Sequence, residues 1–211
     1  MIVCEIFEGI QGESSRQGLP STFVRLTGCN LRCNYCDTLY AFSGGTEMTV
    51  GEVIGKVRSL TPVAVCVTGG EPLLQNEAFV LIESLCDEGY SVSVETNGSI
   101  DASTVDRRAA RVFDVKCPSS GIPDPINPAN LESIRPNDEF KFVLCDRGDF
   151  LYASEFLRRH DLSGANAVLF SPATGHIDPA ELAGWIIHET PGARLNLQLH
   201  RYIWPDRNRG V

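Results

Sequence analysis

This chain of 211 residues has no apolar run long enough to cross a bilayer. Its longest, such as Val63-Ala64-Val65-Cys66-Val67, falls far short of the roughly 20 residues a membrane helix needs. Positive charge is scarce as well: 18 Lys and Arg stand against 27 Asp and Glu, a net charge of −9. Such a chain repels phosphate backbones, which argues against general nucleic-acid binding. The one basic concentration, Arg201, Arg207 and Arg209, reads as a solvated end or an interface. The opening Met1-Ile2-Val3-Cys4-Glu5 has neither the basic nor the apolar stretch of a secretory signal. Linkers, repeats and low-complexity segments are missing too. A single domain over residues 1–211 is expected, large enough to bury a core without staples.

What is present is an alternation of strand-like and helix-like segments. Strands are predicted over 2–7, 22–27, 63–68, 91–95, 111–115, 139–145, 166–170 and 194–199, several nearly all apolar, as strands covered on both faces are. Thr49-Val50-Gly51-Glu52 reads as a capping box, and Asp178-Pro179-Ala180-Glu181 as an N-cap with proline at the first helical position. A helix over about 76–88 stops at Gly89, and another covers roughly 148–160. Residues 96–110 are short and polar, and 117–136 carry Pro118, Pro123, Pro125, Pro128 and Pro136, so full helices are not expected there. The predicted fold is α/β, an incomplete (β/α) barrel with shortened or missing helices. Its active site belongs at the C-terminal ends of the strands.

Eight cysteines are present. Cys66 and Cys145 lie in apolar strand-like runs and Cys86 on the apolar face of a helix, the usage of reduced thiols in a cytoplasmic protein. Cys29, Cys33 and Cys36 differ from these: they follow the strand 22–27 in a C-x3-C-x2-C spacing, with no fourth cysteine or histidine within a few residues. Closed iron–sulfur and zinc sites take four protein ligands, whereas three leave a coordination position open for chemistry. On spacing alone an open iron–sulfur site stands ahead of zinc, whose knuckles pair C-x2-C with a second C-x2-C or a histidine pair.

C-x3-C-x2-C with Tyr35 before the last cysteine resembles the radical S-adenosylmethionine (SAM) superfamily, as does Gly69-Gly70-Glu71-Pro72 after the next strand. Within it, several motifs resemble those of the 7-carboxy-7-deazaguanine synthase family: Phe7-Glu8-Gly9-Ile10-Gln11-Gly12-Glu13, Phe23-Val24-Arg25-Leu26-Thr27-Gly28-Cys29, Cys36-Asp37-Thr38, Glu95-Thr96-Asn97-Gly98 and Gln198-Leu199-His200-Arg201-Tyr202-Ile203-Trp204-Pro205. The chain departs from the family pattern at Asp114-Val115-Lys116, followed by Cys117-Pro118-Ser119-Ser120, where many members carry Ser-Pro-Lys. It departs again at Ser171-Pro172, where members often carry Gln-Pro.

The resemblance implies a [4Fe–4S] cluster on Cys29, Cys33 and Cys36, reductive cleavage of SAM, and conversion of 6-carboxy-5,6,7,8-tetrahydropterin to 7-carboxy-7-deazaguanine with loss of ammonia, on the route to 7-deazapurines such as queuosine. It implies Ile10, Gln11, Gly12, Glu13, Arg25, Thr68, His200 and Pro205 on the substrate, and Mg²⁺ on Thr38. On SAM it implies Tyr35, Asp37, Gly69, Gly70, Glu71, Glu95, Asn97, Asp114, Lys116 and Ser171. An electron donor such as flavodoxin or ferredoxin, and a homodimer, are implied likewise. Two assignments also have a local argument. Arg25 lies in an otherwise apolar strand, and a buried guanidinium needs an anion, either the substrate carboxylate or an internal acid. Glu13 offers a carboxylate for a guanidine-like edge; without the resemblance it reads as a solvated loop residue. The rival readings are a glycyl-radical-enzyme activase and an electron-transfer iron–sulfur module without catalysis.

Overall fold

A computed structural model describes residues 1–122, 126–162, 167–207 and 209–211. The strands are β1 (Ile2–Ile10), β2 (Pro20–Leu26), β3 (Thr46–Glu47), β4 (Ala64–Gly69), β5 (Ser91–Thr96), β6 (Ala110–Val115), β7 (Glu139–Leu144), β8 (Ala167–Pro172) and β9 (Arg194–Leu195). They form one sheet in the order β3-β1-β2-β4-β5-β6-β7-β8-β9. From β2 to β9 all pairs are parallel, while β1 runs antiparallel to both β2 and β3. The sheet does not close on itself, as an incomplete barrel requires, and the first predicted strand is a hairpin partner of β2, one strand in from the β3 edge.

The helices are α1 (Val50–Arg58), α2 (Glu77–Asp87), α3 (Pro128–Glu132), α4 (Arg147–Arg159), α5 (Pro179–Glu189) and α6 (Leu199–Ile203). Their starts follow the local chemistry. Thr49 and Glu52 form a reciprocal capping box on α1, and Asp178 accepts from Ala180 N ahead of Pro179 on α5. Gly89 takes φ +84° just past α2. The β5–β6 crossover has no helix; the buried Asn130 amide organises it, donating to the carbonyls of Gly98 and Ile100 and accepting from Ala102 N. Among its described residues the proline-rich crossover has a three-residue 3-10 turn, Pro118–Ser120, and the five-residue α3; Pro123 and Pro125 lie outside the described residues, as does Asn166 at the start of its predicted strand. None of the described helices is long and apolar enough to cross a membrane.

One strand expectation is corrected. The run 194–199 pairs only at Arg194 and Leu195, after which Leu199 N donates to Gly12 O (2.9 Å) and α6 begins. Asn196 turns the chain away, exchanging side-chain hydrogen bonds with Ser14 N and O (3.2 and 3.3 Å). The tail therefore leaves the sheet to pack on the loop after β1.

Strand alternation divides the sheet into two faces. Val24, Val67, Val94, Phe113, Phe142 and Phe170 point to the helices and form the core, with Phe113 stacked on Phe140 (5.5 Å) and Phe142 edge-on to Phe170 (5.6 Å). The alternate positions Arg25, Thr68, Glu95, Asp114 and Lys141 point the other way, the first four near the C-terminal ends of their strands and Lys141 in the middle of β7. At the opposite end of β6, fully buried Arg111 pairs bidentately with Asp138 (2.9 and 2.5 Å) and donates to Ser133 O (2.7 Å).

Candidate active site

The inner face opens into a cavity of about 460 Å³ at the strand C-termini. Cys29, Cys33 and Cys36 all line it, and each is half-buried. All eight cysteines are unpaired. The cysteine loop leaves β2 at Gly28, whose φ of +101° suits glycine, and is pinned by Gly28 N to Ala41 O (2.8 Å) and Asn34 N to Ser120 O (3.0 Å). Cys29 Sγ accepts from Leu31 N (3.4 Å) and faces Asn97 Nδ2 at 3.9 Å. Among the described residues no three Cys, His, Asp or Glu side chains are gathered as in an assembled metal site. The loop brings the thiols to one wall without drawing them into ligand geometry. The donor set still fits an iron–sulfur cluster: three thiols on one cavity, with amide donors for sulfur. Burial pushes the Cys33 and Cys36 thiols up, and the ammonium of Lys116 opposes it, lowering the cost of the thiolates a cluster needs.

The glycine motif after β4 has a packing reason. A Cβ on Gly69 would lie 2.4 Å from Leu26 O, and one on Gly70 would lie 2.4 Å from Gly28 O. The two glycines therefore let this turn sit directly against the cysteine loop, where Glu71 N donates to Gly28 O (2.8 Å). The Glu71 side chain is fully buried and already engaged, accepting from Leu73 N (2.9 Å), Thr96 Oγ1 (2.9 Å) and Asn97 N (2.6 Å). It clamps the β4 and β5 ends together and does not line the cavity.

The floor of the cavity is a ladder of alternating charges. Lys141 Nζ lies 2.7 Å from Glu13 Oε2 and 3.3 Å from Asp114 Oδ2, and Lys116 Nζ lies 3.0 Å from Asp114 Oδ1. Burial disfavours the ammonium of Lys141, but Asp114, Glu13 and Glu95 outweigh it and hold its pKa well above the ordinary value. Burial likewise opposes the charge of Asp114, yet Lys116 and Lys141 keep its carboxyl low. Glu95 accepts from Gln11 Nε2 (3.2 Å) and Thr68 Oγ1 (3.3 Å), and burial raises its pKa. Glu13 Oε1 is buried with no hydrogen-bond partner among the described residues. Arg25 Nε meets an internal acid, Glu5 Oε1, at 2.8 Å.

The tail closes one side. Gly12 packs so tightly on His200 that a Cβ would lie 2.1 Å from its Nδ1, and burial pushes the His200 pKa down. Asp37 Oδ2 receives Gln198 Nε2 (3.4 Å) and Arg201 Nη2 (3.3 Å), while its Oδ1 accepts from Thr38 Oγ1 (2.9 Å). Three anticipated residues stand apart from the cavity wall: Glu71, buried Ser171, whose hydroxyl faces Asn196 (3.5 Å), and exposed Pro205. The remaining anticipated residues all line it. Lys141, Gln198 and Arg201 line it without having been anticipated. For Lys141 a signal was present, a cation in the apolar run Phe140-Lys141-Phe142, the same pattern that marks Arg25.

Comparison with known proteins decides the family. Residues 23–122 match the Radical SAM superfamily. The chain is 41% identical to the 7-carboxy-7-deazaguanine synthase of Koribacter versatilis, covering 100% of both chains. It is also 41% identical to that of Chlorobaculum tepidum (99% of this chain, 96% of the relative), and 38% identical to that of Thermoplasma acidophilum (98% of each). This chain belongs to the 7-carboxy-7-deazaguanine synthase family. It is a radical SAM enzyme, and the family's [4Fe–4S] cluster and SAM are its cofactors. The fold agrees with the crystal structure of QueE from Escherichia coli, at a TM-score of 0.79 with 21% identity and 94% of each chain covered. Full-length identity to these synthases sets aside the activase and electron-transfer readings.

Proposed function

We propose that this enzyme takes 6-carboxy-5,6,7,8-tetrahydropterin as substrate and releases 7-carboxy-7-deazaguanine and ammonia. The observation that carries the assignment is Glu13: a buried carboxylate whose Oε1 has no partner among the described residues, on the wall of the cavity that also holds the three thiols. A buried acceptor left open asks for a ligand with N–H donors, which the pterin's guanidine-like edge supplies. Among the described residues Arg25 hydrogen-bonds only through Nε, to Glu5, which leaves its other N–H groups for the substrate carboxylate. Cys29, Cys33 and Cys36 would hold the cluster. With SAM bound to it, the chemistry supplied is reductive cleavage of SAM and hydrogen abstraction. The protein's own residues bind and orient the pterin and exclude water beneath α6.

Thr38, which lines the cavity and whose hydroxyl donates to Asp37, is assigned to Mg²⁺ shared with substrate oxygens, since Mg²⁺ takes few protein oxygens. The same reading includes a reductant protein such as flavodoxin or ferredoxin, and a cytoplasmic location, which the eight unpaired cysteines support. It also includes a homodimer, supported by the exposed Tyr202 and Ile203. The test is to supply reconstituted enzyme with SAM, a reductant and carboxytetrahydropterin and follow the deazapurine absorbance. SAM cleavage without any deazapurine would reject the substrate. Turnover unchanged between chelator and a Mg²⁺ titration would reject the metal.

A further inference from the structure

Lys141 is a cation in the middle of a core strand, 8% exposed at its side chain. Its position follows from register, because β7 pairs with β6 so that Lys141 stands opposite Asp114. From there its ammonium reaches across to Glu13 Oε2 at 2.7 Å, 128 residues away in the chain. Glu13 rides on the loop after β1, with no strand to fix its side chain. The groups facing it are Lys141, Glu95 and His200, with Asp114 on the far side of Lys141. Remove the ammonium and Glu13 faces the Glu95 carboxylate with only the His200 imidazole beside it, and repulsion from Glu95 would turn it away from the cavity.

We propose that Lys141 is a positioning residue for the substrate: it binds Oε2 of Glu13, fixes the plane of the carboxylate, and leaves Oε1 as the acceptor presented to the ligand. The proposal rests on the reading of Glu13 as the pterin's acceptor. The physical effect is preorganisation. A carboxylate held by one charge-assisted bond keeps its second oxygen aimed, so ligand binding does not have to order it. Arginine at 141 would keep the charge but replace a compact point donor by a planar fork, and so would restore only part of the effect.

The experiment is a double-mutant cycle on the reconstituted holoenzyme, titrating carboxytetrahydropterin calorimetrically in the absence of reductant. Lys141→Met is expected to raise the pterin Kd about tenfold or more, and Glu13→Gln by a similar factor. The double variant should bind no more than about twofold worse than Glu13→Gln alone, because Lys141 acts through Glu13. Lys141→Arg should fall between wild type and Lys141→Met, and in turnover the loss should appear in KM more than in kcat. If Lys141→Met fails to fold, the same cycle is read with Lys141→Arg and Glu13→Gln. Wild-type Kd in the Lys141 variant, or losses in the double variant that multiply as independent effects, would overturn the proposal while leaving the substrate assignment intact. Failure of the wild-type enzyme to bind the pterin would reject the substrate assignment and this proposal with it.

Discussion

Arg25 shows how a single side chain can answer two demands. Burying a guanidinium in a sheet requires an anion, and Glu5 on the neighbouring strand supplies it at 2.8 Å. Tyr40 adds its hydroxyl to the same Glu5 oxygen at 2.9 Å, so the pair is fixed from two sides. Among the described residues the Arg25 guanidinium hydrogen-bonds through Nε, with the centre of the Tyr40 ring 5.8 Å from its Cζ, and the residue still lines the cavity. Arg25→Ala is therefore expected to lower kcat/KM by an amount equivalent to about 2–4 kcal/mol. The absorbance of the cluster should not change, whereas Glu5→Gln, which keeps a polar partner, should cost far less. Kinetics of Arg25→Ala indistinguishable from wild type would confine the residue to the scaffold. Cys29, Cys33 and Cys36 occupy one wall together, and alanine at any of them should abolish iron retention and SAM cleavage, while Cys86→Ala should retain both. Iron content after anaerobic reconstitution checks this directly.

Among the elements, the one that closes the site is α6 with the turn before it. The sheet ends two residues into β9 because the chain is drawn to the loop after β1, where Leu199 N and Gln17 Nε2 both donate to Gly12 O (2.9 Å each). The close approach depends on Gly12 having no side chain. Gly12→Ala places a carbon where His200 Nδ1 lies, so the tail must lift or His200 must rotate. The expected result is faster proteolysis of the tail and a raised substrate KM, with α1 to α5 intact by far-UV circular dichroism. Limited trypsin digestion, with Arg201 and Arg207 as cleavage sites, reads it; an unchanged digestion pattern would mean that the contact does not hold the tail.

For the whole molecule, the two ends of the sheet have different jobs. At the N-terminal end, Arg111 and Asp138 form a fully buried bidentate pair tied to the β5–β6 and β6–β7 crossovers through Ala102 O and Ser133 O. Breaking such a pair leaves a buried charge alone, so Arg111→Met is expected to destabilise the fold by about 3–5 kcal/mol with little effect on kcat in the folded fraction. Denaturant titration measures it. At the C-terminal end the charges also set the acid response. The Asp37 side chain is 43% exposed at the mouth of the cavity; the desolvation it does suffer works against its carboxylate, but the Thr38 hydroxyl, Lys141, Arg201 and His200 hold its pKa below the ordinary 3.8. A group depressed in the folded state stabilises above its unfolded value, and that stability is lost as pH falls from about 3.8 through the native value. Asp37→Asn should therefore flatten the fall of Tm with pH in this acid range. Equal slopes in the two proteins would remove Asp37 from the acid response.

Period, capping and spacing are local properties, and they were enough to determine the strand–helix alternation, the starts of α1 and α5, the two crossovers without full helices, and the three-thiol loop after β2. The family motifs carried most of the cavity wall as well: those after β2, β4 and β5 sit at strand ends that the parallel topology brings to one rim, while the loop after β1 and the tail fold onto it. What only the tertiary structure decided involves partners far apart in the chain. Lys141 meets Glu13 across 128 residues, and Glu71 is engaged by Thr96 and Asn97. Gly69 and Gly70 owe their small size to Leu26 and Gly28, and the predicted strand 194–199 stops early because Asn196 and Leu199 find partners on the loop after β1. A buried charge announces in the sequence that it needs a partner, as Arg25 did. Which group answers depends on register and on where loops fold back, and the packed sheet alone sets those.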